Sequence, residues 1–112
     1  MPKQAKTLTQ QELRRVLDYI ATRPHSARNR AMLLTTHYAG IRVGELAHLR
    51  YQDVVDSTGQ IREEIRLEHE QTKGRYARVV FVNVKLKKEL ETYLRSHPQA
   101  DPTHRLFYTQ KR

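Results

Sequence analysis

The spacing of the apolar residues changes period part-way along the chain, and this change constrains the fold more than any other feature. Between residues 8 and 50, apolar side chains recur every three or four positions, which predicts α-helices that share one core. Between residues 61 and 83 they alternate with polar residues or form a β-branched run, which predicts strands. A chain of 112 residues has room for one small core. We therefore expect an α+β fold with three N-terminal helices, a small antiparallel sheet of two or three strands and one following helix.

Local signals predict where these elements begin and end. Thr9 and Glu12 have the spacing of a capping box, and Gly40 suits the left-handed position just after a helix. Residues 1–7 are polar and basic and are predicted to form a loose arm before a single domain over 8–112. The predicted elements are a helix from Thr9 to Arg23, a helix from Ser26 to Gly40, a helix over about 43–50, an antiparallel hairpin over 61–83, a helix over about 84–96 and a short buried anchor at Leu106 and Phe107. The predicted core positions are Leu13, Val16, Leu17, Ile20, Ala31, Leu34, Tyr38, Leu46, Leu49, Leu86, Leu90, Tyr93 and Leu94.

The charge of the chain indicates a polyanionic partner. Lys and Arg number 21 against 12 Asp and Glu, which gives a formal net charge of +9. Such an excess is typical of nucleic-acid binders, although basic surfaces also bind membranes and acidic proteins or simply coat a soluble protein. There is no cysteine, and no two histidines have the spacing of metal ligands on a helix, so we expect neither a metal nor another cofactor. No apolar run has the length of a membrane span, and we expect a cytoplasmic protein.

Arg42 is the first candidate site residue, at the junction between the second and third predicted helices. A guanidinium there can bind a phosphate through two parallel hydrogen bonds. Glu45 follows one helical turn later and could orient Arg42 or cap the new helix. The alternative from the residues alone is an ordinary surface ion pair, which contributes only a few tenths of a kcal/mol.

The second candidate is a basic stretch around the predicted hairpin turn. Lys73 stands in the turn QTKGR and could act as a general acid if neighbouring cations lower its pKa; an exposed turn lysine with no such role is the alternative. The stretch from 71 to 88 contains no acidic residue, so it could present a positive face to a phosphate backbone or form a solvated sheet edge. Its basic residues are Lys73, Arg75, Arg78, Lys85, Lys87 and Lys88.

Taken in order, these segments resemble the catalytic domain of tyrosine recombinases, the phage integrase family. Residues 36–54 read THYAGIRVGELAHLRYQDV, which is similar to the family's first motif, and RAMLL at 30–34 is similar to the helix before it. The turn at 71–75, followed by Arg78 and an apolar strand, resembles the family's lysine-bearing hairpin. The resemblance covers nearly the whole chain from residue 7.

The resemblance implies a chemistry and a partner. In this family a tyrosine attacks a phosphate of double-stranded DNA and forms a 3′-phosphotyrosyl bond, while two arginines stabilise the transition state and a lysine protonates the departing 5′ oxygen. By position, Arg42 corresponds to the first arginine, Glu45 to its structural partner and Lys73 to the general acid. The same resemblance implies DNA contacts by Arg42 and by the six basic residues of the 71–88 stretch.

The sequence departs from the family pattern at its end. After Phe107 the family continues to a His-x-x-Arg motif and the nucleophilic tyrosine, and no such motif follows here; Tyr108 does not have the nucleophile's position. We therefore expect DNA binding without recombination by this chain alone, with the missing catalytic half or a second copy as a further partner. The sequence fits a truncated gene of a bacterial, phage or plasmid mobile element as well as a natural short protein, and it does not decide between them. Two other functions stay open: a non-catalytic DNA-binding regulator or decoy on the same scaffold, and a basic module that binds RNA or acidic proteins.

Overall fold

The computed structural model describes residues 8–67 and 77–107. These residues form five helices and a two-stranded antiparallel sheet, which confirms the predicted α+β class. In chain order the elements are α1 (Gln10–Ala21), α2 (Ser26–Ala39), α3 (Val43–Ala47), α4 (Tyr51–Val54), β1 (Glu64–Leu67), β2 (Arg78–Phe81) and α5 (Val84–Ser96). The predicted arm at 1–7 and the predicted turn at 71–75 lie outside the described residues.

The ends of the first two helices follow their local signals. The Thr9 hydroxyl accepts a hydrogen bond from the Glu12 N–H at 3.1 Å, and the Glu12 carboxylate accepts one from the Thr9 N–H at 3.0 Å. This reciprocal pair is the predicted capping box. After α2, Gly40 adopts φ 73° and ψ 24°, a left-handed conformation that glycine takes without a steric penalty. Both predicted boundaries are confirmed.

The third helix is shorter than predicted, because two competing interactions end it. α3 stops at Ala47, and the Arg50 N–H donates to the Asp53 carboxylate at 2.8 Å, which caps the separate short helix α4. The Leu49 carbonyl accepts a hydrogen bond from the Leu106 N–H at 2.8 Å, in a bridge to the C-terminal segment. Backbone groups used in this bridge are not available to a helix. The predicted single helix over 43–50 was therefore wrong in extent, whereas the element itself is present.

The sheet buries one face and exposes the other. Ile65 pairs with Val80, and both are buried, whereas Phe81 is 68% exposed. This alternation is that of a strand with one face on a core. Leu67 pairs with Arg78, so Arg78 leaves β2 on the same core-facing side as Val80. The predicted antiparallel pairing is confirmed over shorter strands, 64–67 and 78–81, and β2 presents one charged residue toward the interior.

The core lies between the sheet, α2 and α5. α2 packs along α5, and the C-terminal segment closes the core because Leu106 and Phe107 are buried and the Tyr93 hydroxyl donates to the Leu106 carbonyl at 3.1 Å. The predicted anchor is thus confirmed. Five predicted core positions are only half-buried: Val16, Leu17, Ile20, Tyr38 and Leu94. None of the described helices is both long enough and apolar enough to cross a membrane.

Candidate active site at the Arg42 turn

The turn between α2 and α3 fixes the backbone of Arg42 and leaves its side chain at the surface. Gly40 reverses the chain after α2, and Ile41 is only 2% exposed, so it anchors the turn in the core. Arg42 follows with an extended backbone (φ −76°, ψ 156°) as the residue that precedes the first turn of α3, and its side chain is exposed. The guanidinium therefore belongs to a surface residue whose main chain is held on both sides.

Glu45 fixes the Arg42 turn from the α3 side, through a hydrogen bond to the backbone of Arg42. Its carboxylate accepts a hydrogen bond from the Arg42 N–H at 2.9 Å, and Glu45 is only 2% exposed. A carboxylate at the third position of a helix satisfies a backbone donor that has no partner within the helix. Of the two roles that the sequence allowed for Glu45, the structure shows the capping one directly.

Arg78 completes the surroundings of this carboxylate from the sheet. Its Nη2 donates to Glu45 Oε1 at 2.6 Å, and its Nε donates to Glu45 Oε2 at 3.1 Å. The same Nη2 also donates to the Gly40 carbonyl at 3.2 Å. Two parallel hydrogen bonds between an arginine and a carboxylate fix direction as well as distance. The strand β2 is thus joined to the turn that carries Arg42.

These contacts decide the charge state of Glu45. Burial of the carboxylate raises its pKa, because a charged group loses hydration in the interior. The hydrogen bond from Arg78, the backbone hydrogen bond from Arg42 and the positive charges of both arginines lower the pKa. The net effect places the pKa of Glu45 below its ordinary value. Glu45 is therefore ionised at neutral pH. Its buried carboxylate binds the guanidinium of Arg78 and the backbone N–H of Arg42.

The other predicted site residues lie on a different element or outside the described residues. Lys73 and Arg75 lie outside the described residues. Three further basic residues are exposed on the first turns of α5, which follows β2 in the chain: Lys85, Lys87 and Lys88. Arg78, in contrast, is the first residue of β2. The structure therefore brings together Arg42, Glu45 and Arg78, and it places the three lysines on a separate element.

The link from Arg78 to Glu45 was missed at the sequence level, where Arg78 was predicted as a DNA contact. A signal for it is present in the alternation of β2. Val80 is the apolar residue of a core-facing position, and Arg78 precedes it by two residues, on the same face. A charged residue at a core-facing position needs a partner of opposite charge, since an unpaired buried charge is strongly unfavourable.

Known proteins provide the identification. The sequence profile of the phage integrase family matches residues 6–112. The chain belongs to the phage integrase family. Among the relatives of this chain, a protein described as the putative integrase/recombinase y4rF of Sinorhizobium fredii is 40% identical over 92 residues. That match covers 80% of the present chain and 20% of the relative.

The fold of this chain also agrees with a solved structure. The crystal structure of XerA recombinase superposes with a TM-score of 0.66 at 22% sequence identity. The superposition covers 97% of the present chain and 35% of XerA. The likeness establishes a shared fold, and it shows that the chain spans about a third of XerA's length and about a fifth of the length of y4rF.

Proposed function

We propose that this chain is the DNA-binding N-terminal part of a site-specific tyrosine-recombinase catalytic domain. The observation that carries the proposal is the exposed Arg42 on a backbone fixed by Glu45. A guanidinium that is held at its base and open at its tip suits a phosphate, because little conformational freedom is lost on binding. The net charge of +9 supports a polyanionic partner of this kind.

In the proposed reaction, each group of the chain has one task. Arg42 binds the scissile phosphate and stabilises the charge that develops on its oxygens in the transition state. The hydroxyl of a tyrosine, supplied by a segment beyond these residues, gives up its proton to solvent and attacks the phosphorus, and the bond from phosphorus to the 5′ oxygen breaks. Lys73 donates its proton to that oxygen, so the products are a 3′-phosphotyrosyl bond and a free 5′-hydroxyl. No metal and no other cofactor takes part.

The DNA-contacting surface of the proposal extends beyond Arg42. The lysines of α5 are exposed and carry no acidic neighbour between 78 and 88, so they can neutralise backbone phosphates without reading sequence. The proposed contacts are Arg42, Lys73, Arg75, Lys85, Lys87 and Lys88. Arg78, which the sequence also predicts as a contact, has its guanidinium on Glu45.

We further propose that these 112 residues alone do not cleave DNA, because residues that act as a catalytic unit lose their effect together. The test uses a duplex with a nick next to the cleavage site, which traps the covalent intermediate. The chain alone should form no adduct. Mixed with a polypeptide that carries the His-x-x-Arg motif and the tyrosine, it should form one that Arg42→Ala or Lys73→Ala abolishes. Arg15→Ala, an equal loss of charge on the exposed side of α1, is the matched control and should leave the adduct unchanged.

The same experiment separates the alternatives. If the mixture binds the duplex but forms no adduct, a non-catalytic DNA-binding regulator is the better description. If the chain binds RNA or acidic proteins and does not bind duplex DNA, the basic interaction module replaces the recombinase proposal.

A further inference from the structure

Arg78 is an arginine at a core-facing position of a short strand. It is paired across the sheet with the buried Leu67 and lies two residues before the buried Val80. Its side chain is 33% exposed, so part of the guanidinium has left water. Such a side chain is retained at low energetic cost only where acceptors satisfy it.

The acceptors of Arg78 lie on both sides of Arg42 in the chain. One is the Gly40 carbonyl, two residues before Arg42, and the other is the Glu45 carboxylate, three residues after it. Glu45 in turn binds the Arg42 N–H. A single guanidinium therefore holds the beginning and the end of the turn that presents Arg42. The turn is short, so a displacement of either end would move the Arg42 side chain.

We infer that Arg78 is a positioning residue, which aligns the Arg42 guanidinium for a DNA phosphate through Glu45 and Gly40. The inference rests on the proposed function, in which Arg42 binds that phosphate. Arg78 thus acts on DNA indirectly, although it belongs to the basic stretch.

The geometry makes lysine a poor replacement for Arg78. The guanidinium uses Nε and Nη2 in one plane to bind both carboxylate oxygens, and Nη2 also reaches the Gly40 carbonyl. A lysine ammonium keeps the charge but lacks this planar fork. Arg78→Lys therefore loosens the turn while the electrostatic attraction of the chain for DNA stays the same.

A double-mutant cycle on duplex DNA affinity distinguishes indirect from direct action. Arg78→Lys should weaken binding by a factor of about three or more in the original chain. In the Arg42→Ala background it should have no effect beyond a factor of about two, since the group that it positions is gone. Equal factors in both backgrounds would overturn the inference and make Arg78 an independent contact.

The matched control is Arg30→Lys. Arg30 forms an equally bidentate ion pair with Glu89, at 3.0 and 2.9 Å, but this pair joins α2 to α5 and does not touch the Arg42 turn. Arg30→Lys should leave DNA affinity within a factor of about two in both backgrounds. If Arg42→Ala alone has no effect on DNA affinity, the proposed function fails. This result comes from the single variant, so it is distinguished from a failure of the inference about Arg78.

A measurement on the unsubstituted chain avoids any dependence on how variants fold. The arginine Nε–H signals are followed by NMR while duplex DNA is added. We expect the Arg42 signal to shift on binding and the Arg78 signal to keep its position and its slow solvent exchange, because Arg78 stays on Glu45. A shift of the Arg78 signal as large as that of Arg42, with faster exchange, would show that Arg78 leaves Glu45 for the DNA and would overturn the inference.

Discussion

The guanidinium of Arg78 binds both oxygens of the Glu45 carboxylate, although the two residues are 33 positions apart in the chain. The carboxylate of this ion pair is only 2% exposed, whereas the carboxylate of the Arg30–Glu89 pair is 27% exposed. It joins the sheet to the turn that carries Arg42, so the pair contributes both to stability and to the arrangement of the candidate site.

Replacement of Glu45 by glutamine should test the contribution to stability. Glu45→Gln keeps the shape of the side chain but leaves the half-buried Arg78 without its counter-charge. We expect the free energy of unfolding to fall by about 2 kcal/mol, less than the ~3–5 kcal/mol of fully buried pairs because Arg78 keeps part of its hydration. Denaturant titration measures the change. Glu89→Gln, which breaks the exposed pair with Arg30, is the control and should cost less than about 1 kcal/mol.

The same pair predicts a dependence of stability on pH. The pKa of Glu45 in the folded chain lies below its ordinary value near 4.5. The ionised carboxylate therefore stabilises the fold above that pH, and the contribution is lost as the pH falls through the folded pKa. The difference in unfolding free energy between the original chain and Glu45→Gln should be large at neutral pH and should shrink under more acidic conditions. An equal difference at both would mean that Glu45 carries no charge-dependent stability.

The capping box at the start of α1 should be measurable by itself. Thr9→Ala removes the acceptor of the Glu12 N–H, and we expect a loss of about 1 kcal/mol in the free energy of unfolding. Thr92→Ala is the matched control, since Thr92 lies within α5 and its hydroxyl contacts only groups of its own helix in the described residues: it donates to the Lys88 carbonyl and accepts from the Arg95 side chain. If both variants lose the same stability, the loss cannot be assigned to capping.

The C-terminal anchor depends on a buried hydroxyl. Tyr93→Phe removes the donor of the Leu106 carbonyl and should reduce the free energy of unfolding by about 1–2 kcal/mol, because the carbonyl stays buried. Leu106→Ala should cost more, about 2–4 kcal/mol, since it also opens a cavity. Thermal or denaturant unfolding gives both values. A smaller loss for Leu106→Ala than for Tyr93→Phe would contradict a packed anchor.

Much of the fold was predictable because local interactions decide it. The capping box at Thr9, the left-handed Gly40 and the start of α5 after Asn83 depend on residues within a few positions of each other. The α3–α4 boundary was not predictable in the same way. It depends on the bridge from Leu49 to Leu106, which lie far apart in sequence, and such tertiary contacts override helical periodicity.

The candidate site shows the same division. Arg42 and Glu45 were found from their spacing and from the family motif, since both lie on one turn. The position of Arg78 depends on the register of β2 against β1, which places it opposite Leu67 and turns its side chain inward. From the sequence alone, a basic residue in a basic stretch indicates a DNA contact. In the structure, the register turns Arg78 inward and its hydrogen bonds join it to Glu45.

The central proposal is that this chain binds duplex DNA through its basic surface. The most direct measurement is the dissociation constant for a duplex at several salt concentrations, for the original chain and for a variant with Lys85, Lys87 and Lys88 all changed to alanine. We predict that affinity falls steeply with salt and that the variant's log–log slope is shallower by about 2–3, at about 0.9 per lost phosphate contact. An affinity that is insensitive to salt, or identical slopes for the two proteins, would contradict the account.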